Sequence, residues 1–252
     1  MKNFDAQILK TFQILKNVFD KLNIPAYLIG AQARDIWFLP QLSPRITQDI
    51  DWVIANSNED LFKELKRVLI ETENFSTTNN PLKLLSPDNI EIDLIPFDYH
   101  ETPHFIGLRE IFLYGTENVS LGGLTYQVAT LPAIVLLKLI AWDNNPDMRA
   151  KDVEDIAYIF DKFDIYTDDS YELFTEIEPE FISARTIGRK IKNIISSTPD
   201  MQKQLIRIIQ QQIDMPYKSG FIKIMLAKLD KTEEFVINQL KELIKGIQEY
   251  ST

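Results

Sequence analysis

Apolar positions in the N-terminal half change period several times, and each change marks an element. Phe4, Ile8, Leu9, Phe12, Leu15, Phe19 and Leu22 recur at the spacing of one helix face, and the pattern stops at Asn23 and Pro25. Tyr27–Ile29 then reads as a strand, and Gly30 opens a helix through Phe38. A loop covers Pro40 to Arg45. Ile50–Ala55 is β-branched and aromatic, as strands are. Leu61, Phe62, Leu65, Val68 and Leu69 return to helical spacing. A hairpin follows: Leu82–Leu85, a turn at Ser86-Pro87-Asp88-Asn89, then Ile90–Phe97.

Residues 111–129 hold two short β-like runs around Gly122-Gly123. Thr130 is a good N-cap, with Pro132 in the first turn of a helix running to Trp142. From Ala150 onward the pattern is helical, including Ile187–Ile195, Met201–Ile213, Phe221–Leu229 and Glu233–Ile247. The expectation is an α+β unit followed by a helical one, divided somewhere in residues 130–148.

Composition narrows the chemistry. The 252 residues include no cysteine, which excludes disulfides, thiolate metal sites and cysteine nucleophiles, and fits a reducing compartment. The polar start Met1-Lys2-Asn3-Phe4-Asp5 is followed by no signal-peptide apolar core, and no apolar run spans a bilayer. The expectation is a soluble cytoplasmic protein with no membrane partner. A net charge of −10 argues against a protein that coats nucleic acid over its whole surface. The distribution is uneven: Asp152 to Ile182 holds eleven acidic residues and one lysine, whereas Ser183 to Lys231 holds ten basic and three acidic. Such blocks are usually solvated helix faces, and they can also mark where a polyanion docks.

Against that background one carboxylate pair stands out. Asp49 and Asp51 lie in the run Thr47-Gln48-Asp49-Ile50-Asp51-Trp52-Val53-Ile54, where alternation puts both on one strand face, roughly 6.5–7 Å apart at the backbone. Two carboxylates so placed can share a pair of divalent ions about 3.5–4 Å apart, as used in displacement at phosphorus. The spacing itself is common: Glu71/Glu73, Asp152/Glu154 and Glu176/Glu178 share it. Asp49/Asp51 differs in its apolar strand context, its upstream Gly turn and a third acidic residue, Asp93, on another strand-like run. A sheet with one wet face accounts for the same residues equally well from spacing alone.

A resemblance weighs on the choice. Leu28-Ile29-Gly30-Ala31-Gln32-Ala33-Arg34-Asp35, Arg45–Asp51, Ile92-Asp93-Leu94-Ile95-Pro96-Phe97, Leu136–Trp142 and Lys151–Ile156 occur in order. With these segments, roughly the first two-thirds of the chain resembles the polymerase-β-type nucleotidyltransferases, and within them the abortive-infection (AbiEii-like) toxin nucleotidyltransferases. The resemblance implies a nucleotidyltransferase fold, a small mixed sheet flanked by helices, over residues 1–140, and a helical domain over 141–252. It implies transfer of a nucleoside monophosphate from a nucleoside triphosphate to a hydroxyl. Asp49, Asp51 and Asp93 would be the catalytic and metal-binding residues for two Mg²⁺ ions. Gly30, Ala31, Arg34, Lys138, Lys151 and Asp152 would bind the nucleotide. Where many relatives have Ser after the first Gly, this chain has Ala31, so only backbone donors remain there. A bacterial toxin–antitoxin or phage-defence setting, an antitoxin partner and an RNA acceptor are also implied. Two other classes stay open, a small-molecule nucleotidyltransferase of the antibiotic-modifying kind and a non-catalytic nucleotide-binding module.

Other residues carry two readings. Lys138 in an apolar helix either reaches a triphosphate or snorkels to solvent. Arg34, Arg45 and Arg149 either meet phosphate or sit on the surface. Arg185, Arg189, Lys192, Lys203 and Arg207 recur at helical spacing and are expected to form a basic face for RNA, with Ile187, Ile191 and Ile194 pointing into a core. His100-Glu101-Thr102-Pro103-His104 spells a zinc-protease pattern. Pro103 opposes the helical turn that pattern needs, so a loop without zinc is expected.

Overall fold

Asp5 starts the first helix, α1 (Ala6–Lys21), by accepting hydrogen bonds from the Gln7 and Ile8 amides at 2.8 and 3.1 Å. It ends where Asn23 takes a left-handed backbone, φ 52°. The computed structural model to which this helix belongs describes residues 5–38, 49–55, 59–97, 107–165 and 168–249. The chain divides into two units, Met1–Thr130 and Leu131–Thr252, the second beginning at a helix start.

The first unit is α+β. After α1 come β1 (Ala26–Ile29), α2 (Gly30–Trp37), β2 (Asp49–Ala55) and α3 (Glu59–Glu73). Then follow β3 (Ser76–Thr77), β4 (Lys83–Leu85), β5 (Glu91–Phe97), α4 (Leu108–Tyr114), β6 (Thr116–Leu121) and β7 (Leu124–Ala129). Among the described residues the strands form one mixed seven-stranded sheet in the order β3-β4-β5-β2-β1-β7-β6. The pairs β2–β5 and β1–β7 are parallel and the others antiparallel.

The two faces of this sheet are unlike. Ile50, Trp52, Ile54, Ile92, Leu94 and Leu28 fill one face and are essentially inaccessible. Phe12 and Phe19 of α1 pack edge-on to Trp52, at ring distances of 5.9 and 5.2 Å. Each fully buried side chain of this size contributes about 1.5–3 kcal/mol. On the other face β2 passes from exposed Asp49 through half-buried Asp51 to buried Val53 and Ala55. β5 grades likewise from Glu91 through Asp93 and Ile95 to Phe97. Its apolar end is closed by α4. Tyr27 donates its hydroxyl to the Leu108 carbonyl at 2.8 Å, and Tyr27, Phe97 and Phe112 stack. The charged end stays open because carboxylates are costly to bury.

The second unit is helical: α5 (Leu131–Asn144), α6 (Ala150–Lys162), α7 (Pro179–Ile194), α8 (Pro199–Asp214), α9 (Gly220–Leu229) and α10 (Glu233–Gln248). Prolines open α7 and α8, and Ser219 and Thr232 cap α9 and α10. α7 and α10 touch backbone to backbone. A Cβ on Gly188 would lie 2.9 Å from the Gly246 Cα and overlap the Leu243 carbonyl, so only glycine permits the approach. Ile187, Ile191 and Ile194 are buried, as their spacing predicts.

Candidate active site

β1 ends beside the carboxylates. Its last residue, Ile29, pairs with Asp51, and the next, Gly30, turns the chain into α2 with φ 73°. That left-handed backbone suits glycine. A Cβ there would also overlap the Asp51 Oδ2 atom and lie 3.0 Å from its Cγ. The backbone at the start of α2 therefore runs directly against the Asp51 carboxylate. Ile29 offers no side-chain cap. The first-turn amides and the positive end of the helix dipole thus lie beside a group of acids.

Register collects the rest. Asp51 pairs with Asp93 across the parallel β2–β5 ladder, and Asp49 with Glu91. Paired residues on neighbouring strands point to the same side, at a strand spacing of about 4.8 Å. Asp49, Asp51, Glu91 and Asp93 therefore share one face. β4 adds Lys83, paired with Asp93. Lys83, Asp93 and Asp51 form one row across three strands.

The row is electrostatically coupled. Lys83 Nζ is ion-paired with Glu91 and lies 3.5 Å from Asp93 Oδ2. Burial pushes the Asp93 carboxyl above the usual carboxylate range; Lys83 opposes this, while Asp49 and Glu91 reinforce it. The Lys83 ammonium is shifted upward, chiefly by its hydrogen bond to Glu91.

Among the described residues no three His, Cys, Asp or Glu side chains are drawn closely enough together to hold a metal ion between them. The donor set still suits Mg²⁺. It is all hard anionic oxygen, and Mg²⁺ is normally held by one or two carboxylates with water and substrate phosphate rather than in a protein cage. Asp49 and Asp51 provide that number on one open sheet face.

Other expected residues have different surroundings. Arg34 is fully enclosed, its guanidinium bound to Asp35 with Nε at 2.7 Å. Its side chain is enclosed within the first unit. Lys138, Lys151 and Asp152 belong to the second unit. Lys138 neither snorkels nor extends outward: its side chain is 8% exposed, with Nζ 2.7 Å from Asp152 and 2.8 Å from Asp155. Lys151 is exposed and Arg149 lies 3.5 Å from Asp152. Arg45 and the His100–His104 segment lie outside the described residues.

Four of the five residues of the expected basic face are ion-paired, and the Lys203 and Arg207 side chains stay 79% and 48% exposed. Arg185 is buried between α7 and α10 and binds Glu242, with Nε at 2.8 Å, and Glu249. Arg189 binds Glu172 and Glu249. Arg207 is 2.6 Å from Asp143, Lys203 3.0 Å from Asp200, and Lys192 2.9 Å from the Gln202 amide oxygen. Long-range packing supplies the partners of Arg185, Arg189 and Arg207, so helical spacing alone did not reveal them.

Two residues escaped the sequence reading. Lys83 could have been found by counting the hairpin register back from the Ser86–Asn89 turn, which sets it opposite Asp93. Asp155 could have been found from its place three residues after Asp152, on the same helix face.

No protein-family model matches the chain, and no curated protein matches it. Several solved structures resemble it. The antibiotic-resistance factor ANT(2'')-Ia aligns with a TM-score of 0.44 at 11% identity, over 80% of this chain and 96% of that one. An antigenic nucleotidyltransferase-like protein from Paracoccidioides brasiliensis aligns with a TM-score of 0.46 at 19% identity, over 79% and 93%. The Thermotoga maritima CCA-adding enzyme complexed with tRNA aligns with a TM-score of 0.37 at 13% identity, over 100% and 68%. Among the described residues no helix is long and apolar enough to cross a membrane.

Proposed function

We propose that this chain is a nucleotidyltransferase that moves a nucleoside monophosphate from a nucleoside triphosphate to a hydroxyl acceptor. One observation carries the reading: Asp49, Asp51 and Asp93 share a sheet face, and the Gly30 backbone abuts Asp51. Asp49, Asp51 and Asp93 would hold Mg²⁺, and bound Mg²⁺ would neutralise triphosphate charge and polarise the α-phosphoryl oxygens. The amides of Gly30 and Ala31 would donate to phosphate oxygens at the start of α2. The acceptor hydroxyl would lose its proton beside Asp93 and attack the α-phosphorus, and pyrophosphate would leave opposite the attacking oxygen. Lys138 and Asp152 would act through each other, as a buried pair that sets the start of α6.

The acceptor divides the reading in two. An RNA acceptor, a bacterial toxin–antitoxin or phage-defence setting and an antitoxin partner are supported by the sequence resemblance alone. A small hydroxyl compound is the second reading, supported by the burial of Arg185 in its ion pairs with Glu242 and Glu249. The test is incubation with each labelled nucleoside triphosphate and Mg²⁺, in the presence of total RNA or of a panel of small polyhydroxylated compounds. Label transferred by the wild type and not by Asp51→Asn supports nucleotidyl transfer, and the labelled acceptor decides between the two. No transfer with any nucleotide and either acceptor class would leave the non-catalytic binding module.

A further inference from the structure

Lys83 is the one basic residue in the row formed with Asp93 and Asp51. Its backbone is pinned. The Lys83 amide donates to the Asn80 carbonyl at 3.0 Å, and its carbonyl accepts from the Thr78 hydroxyl at 3.2 Å. The preceding turn is held by Lys66, which donates to the Pro81 carbonyl at 2.6 Å, and by the Leu94 amide, which donates to the Leu82 carbonyl at 2.8 Å. The ammonium can therefore move only by side-chain rotation. Within reach it has two carboxylates: Asp93, 24% exposed and part of the acidic group, and Glu91, 51% exposed at the rim.

We propose that Lys83, ion-paired with Glu91 and 3.5 Å from Asp93, is a positioning residue that orients the Asp93 carboxylate and opposes a divalent ion there. The inference rests on the nucleotidyltransferase reading above. Asp49, Asp51 and Asp93 on one face repel one another when no cation is near. A fixed ammonium at the edge of the row offsets that repulsion and keeps the Asp93 carboxylate turned into the row. The same charge opposes a second cation. A divalent ion arriving at Asp93 meets the ammonium held on Glu91 3.5 Å away. Metal binding is thereby weak until nucleotide phosphates add negative charge to the site, and occupancy becomes coupled to the substrate.

The experiment measures Mn²⁺ binding to the full chain without nucleotide, by the electron paramagnetic resonance signal of free Mn²⁺. Removing a unit positive charge beside the site tightens binding on the order of tenfold in Lys83→Gln. The same variant has a lower metal-free melting temperature and a larger rise on adding Mn²⁺. A merely structural lysine would give the reverse, a weaker site. Lys83→Arg keeps wild-type affinity. Lys63→Gln, which removes an exposed charge on α3, also leaves affinity unchanged and so separates the local effect from net charge. Equal or weaker Mn²⁺ binding by folded Lys83→Gln overturns the proposal. Should that variant not fold, Glu91→Gln provides the same test: loss of the Glu91 ion pair drives the ammonium onto Asp93 and weakens Mn²⁺ binding several-fold, and equal or tighter binding overturns the proposal. Wild-type binding that is lost in Asp51→Asn but indifferent to Lys83 overturns this inference alone. No Mn²⁺ binding by the wild type, with or without a nucleoside triphosphate, overturns both readings.

Discussion

Gly30 and Asp51 compete for one volume: the carboxylate of Asp51 fills the space in which a side chain on residue 30 would begin. The glycine also has a left-handed backbone, φ 73°. Gly30→Ala therefore meets two penalties, about 1 kcal/mol for the backbone and the displacement of the carboxylate. The expected outcome is a lower melting temperature together with loss of nucleotide transfer. Unchanged transfer by Gly30→Ala would separate the start of α2 from the chemistry.

Asp51→Asn keeps volume and removes one of several like charges on a sheet face. The fold should persist. Transfer should fall at least about a hundredfold, because a ligand to the ion that stabilises developing charge is lost. The loss should fall mainly on kcat rather than on KM. Single-turnover transfer and thermal melts check both halves.

Lys138 neutralises two carboxylates, of which Asp155 is 1% exposed. Lys138→Met should cost about 3–5 kcal/mol, since it removes the ammonium from a buried carboxylate. Adding Asp155→Asn should recover part of the loss. Urea denaturation of the single and double variants measures the coupling.

Tyr126 is 1% exposed, and its hydroxyl has no hydrogen-bond partner among the described residues. Tyr126→Phe should therefore stabilise the chain by about 1 kcal/mol. Burial also pushes the phenol from 10.0 up to about 12. The unfolded chain would ionise first, so stability is full below pH 10 and falls as pH rises from 10 to about 12. The Tyr126→Phe variant should lose that part of the alkaline slope, which denaturation at pH 9 and pH 11.5 would reveal.

Arg185→Glu places a third carboxylate beside Glu242 and Glu249 in the α7–α10 contact. The expected loss is at least about 3 kcal/mol, read by denaturant unfolding. Wild-type stability in this variant would restore Arg185 to the solvent-exposed basic face that helical spacing alone suggests.

Local pattern was enough for much of the fold. α1, β1, α2, β2, α3, the β4–β5 hairpin, the β6–β7 pair, α9 and α10 all follow from period and turn residues, because the burial of one face repeats within each segment. The shared face of Asp49 and Asp51, and separately of Glu91 and Asp93, follows from alternation for the same reason. The two-residue β3 and the seven-residue α4 are too short to establish a period, and they were missed. Tertiary structure decided what lies between segments. The parallel pairing of β2 with β5 joins Asp51 to Asp93 across residues that carry no local trace of it. Helical spacing gave Arg185 and Lys138 a direction on their own helices. Desolvation by a neighbouring helix, with carboxylates waiting on it, turned both inward as buried ion pairs. The periodicity of one helix describes one helix; the charge a side chain meets is set by the surface packed against it.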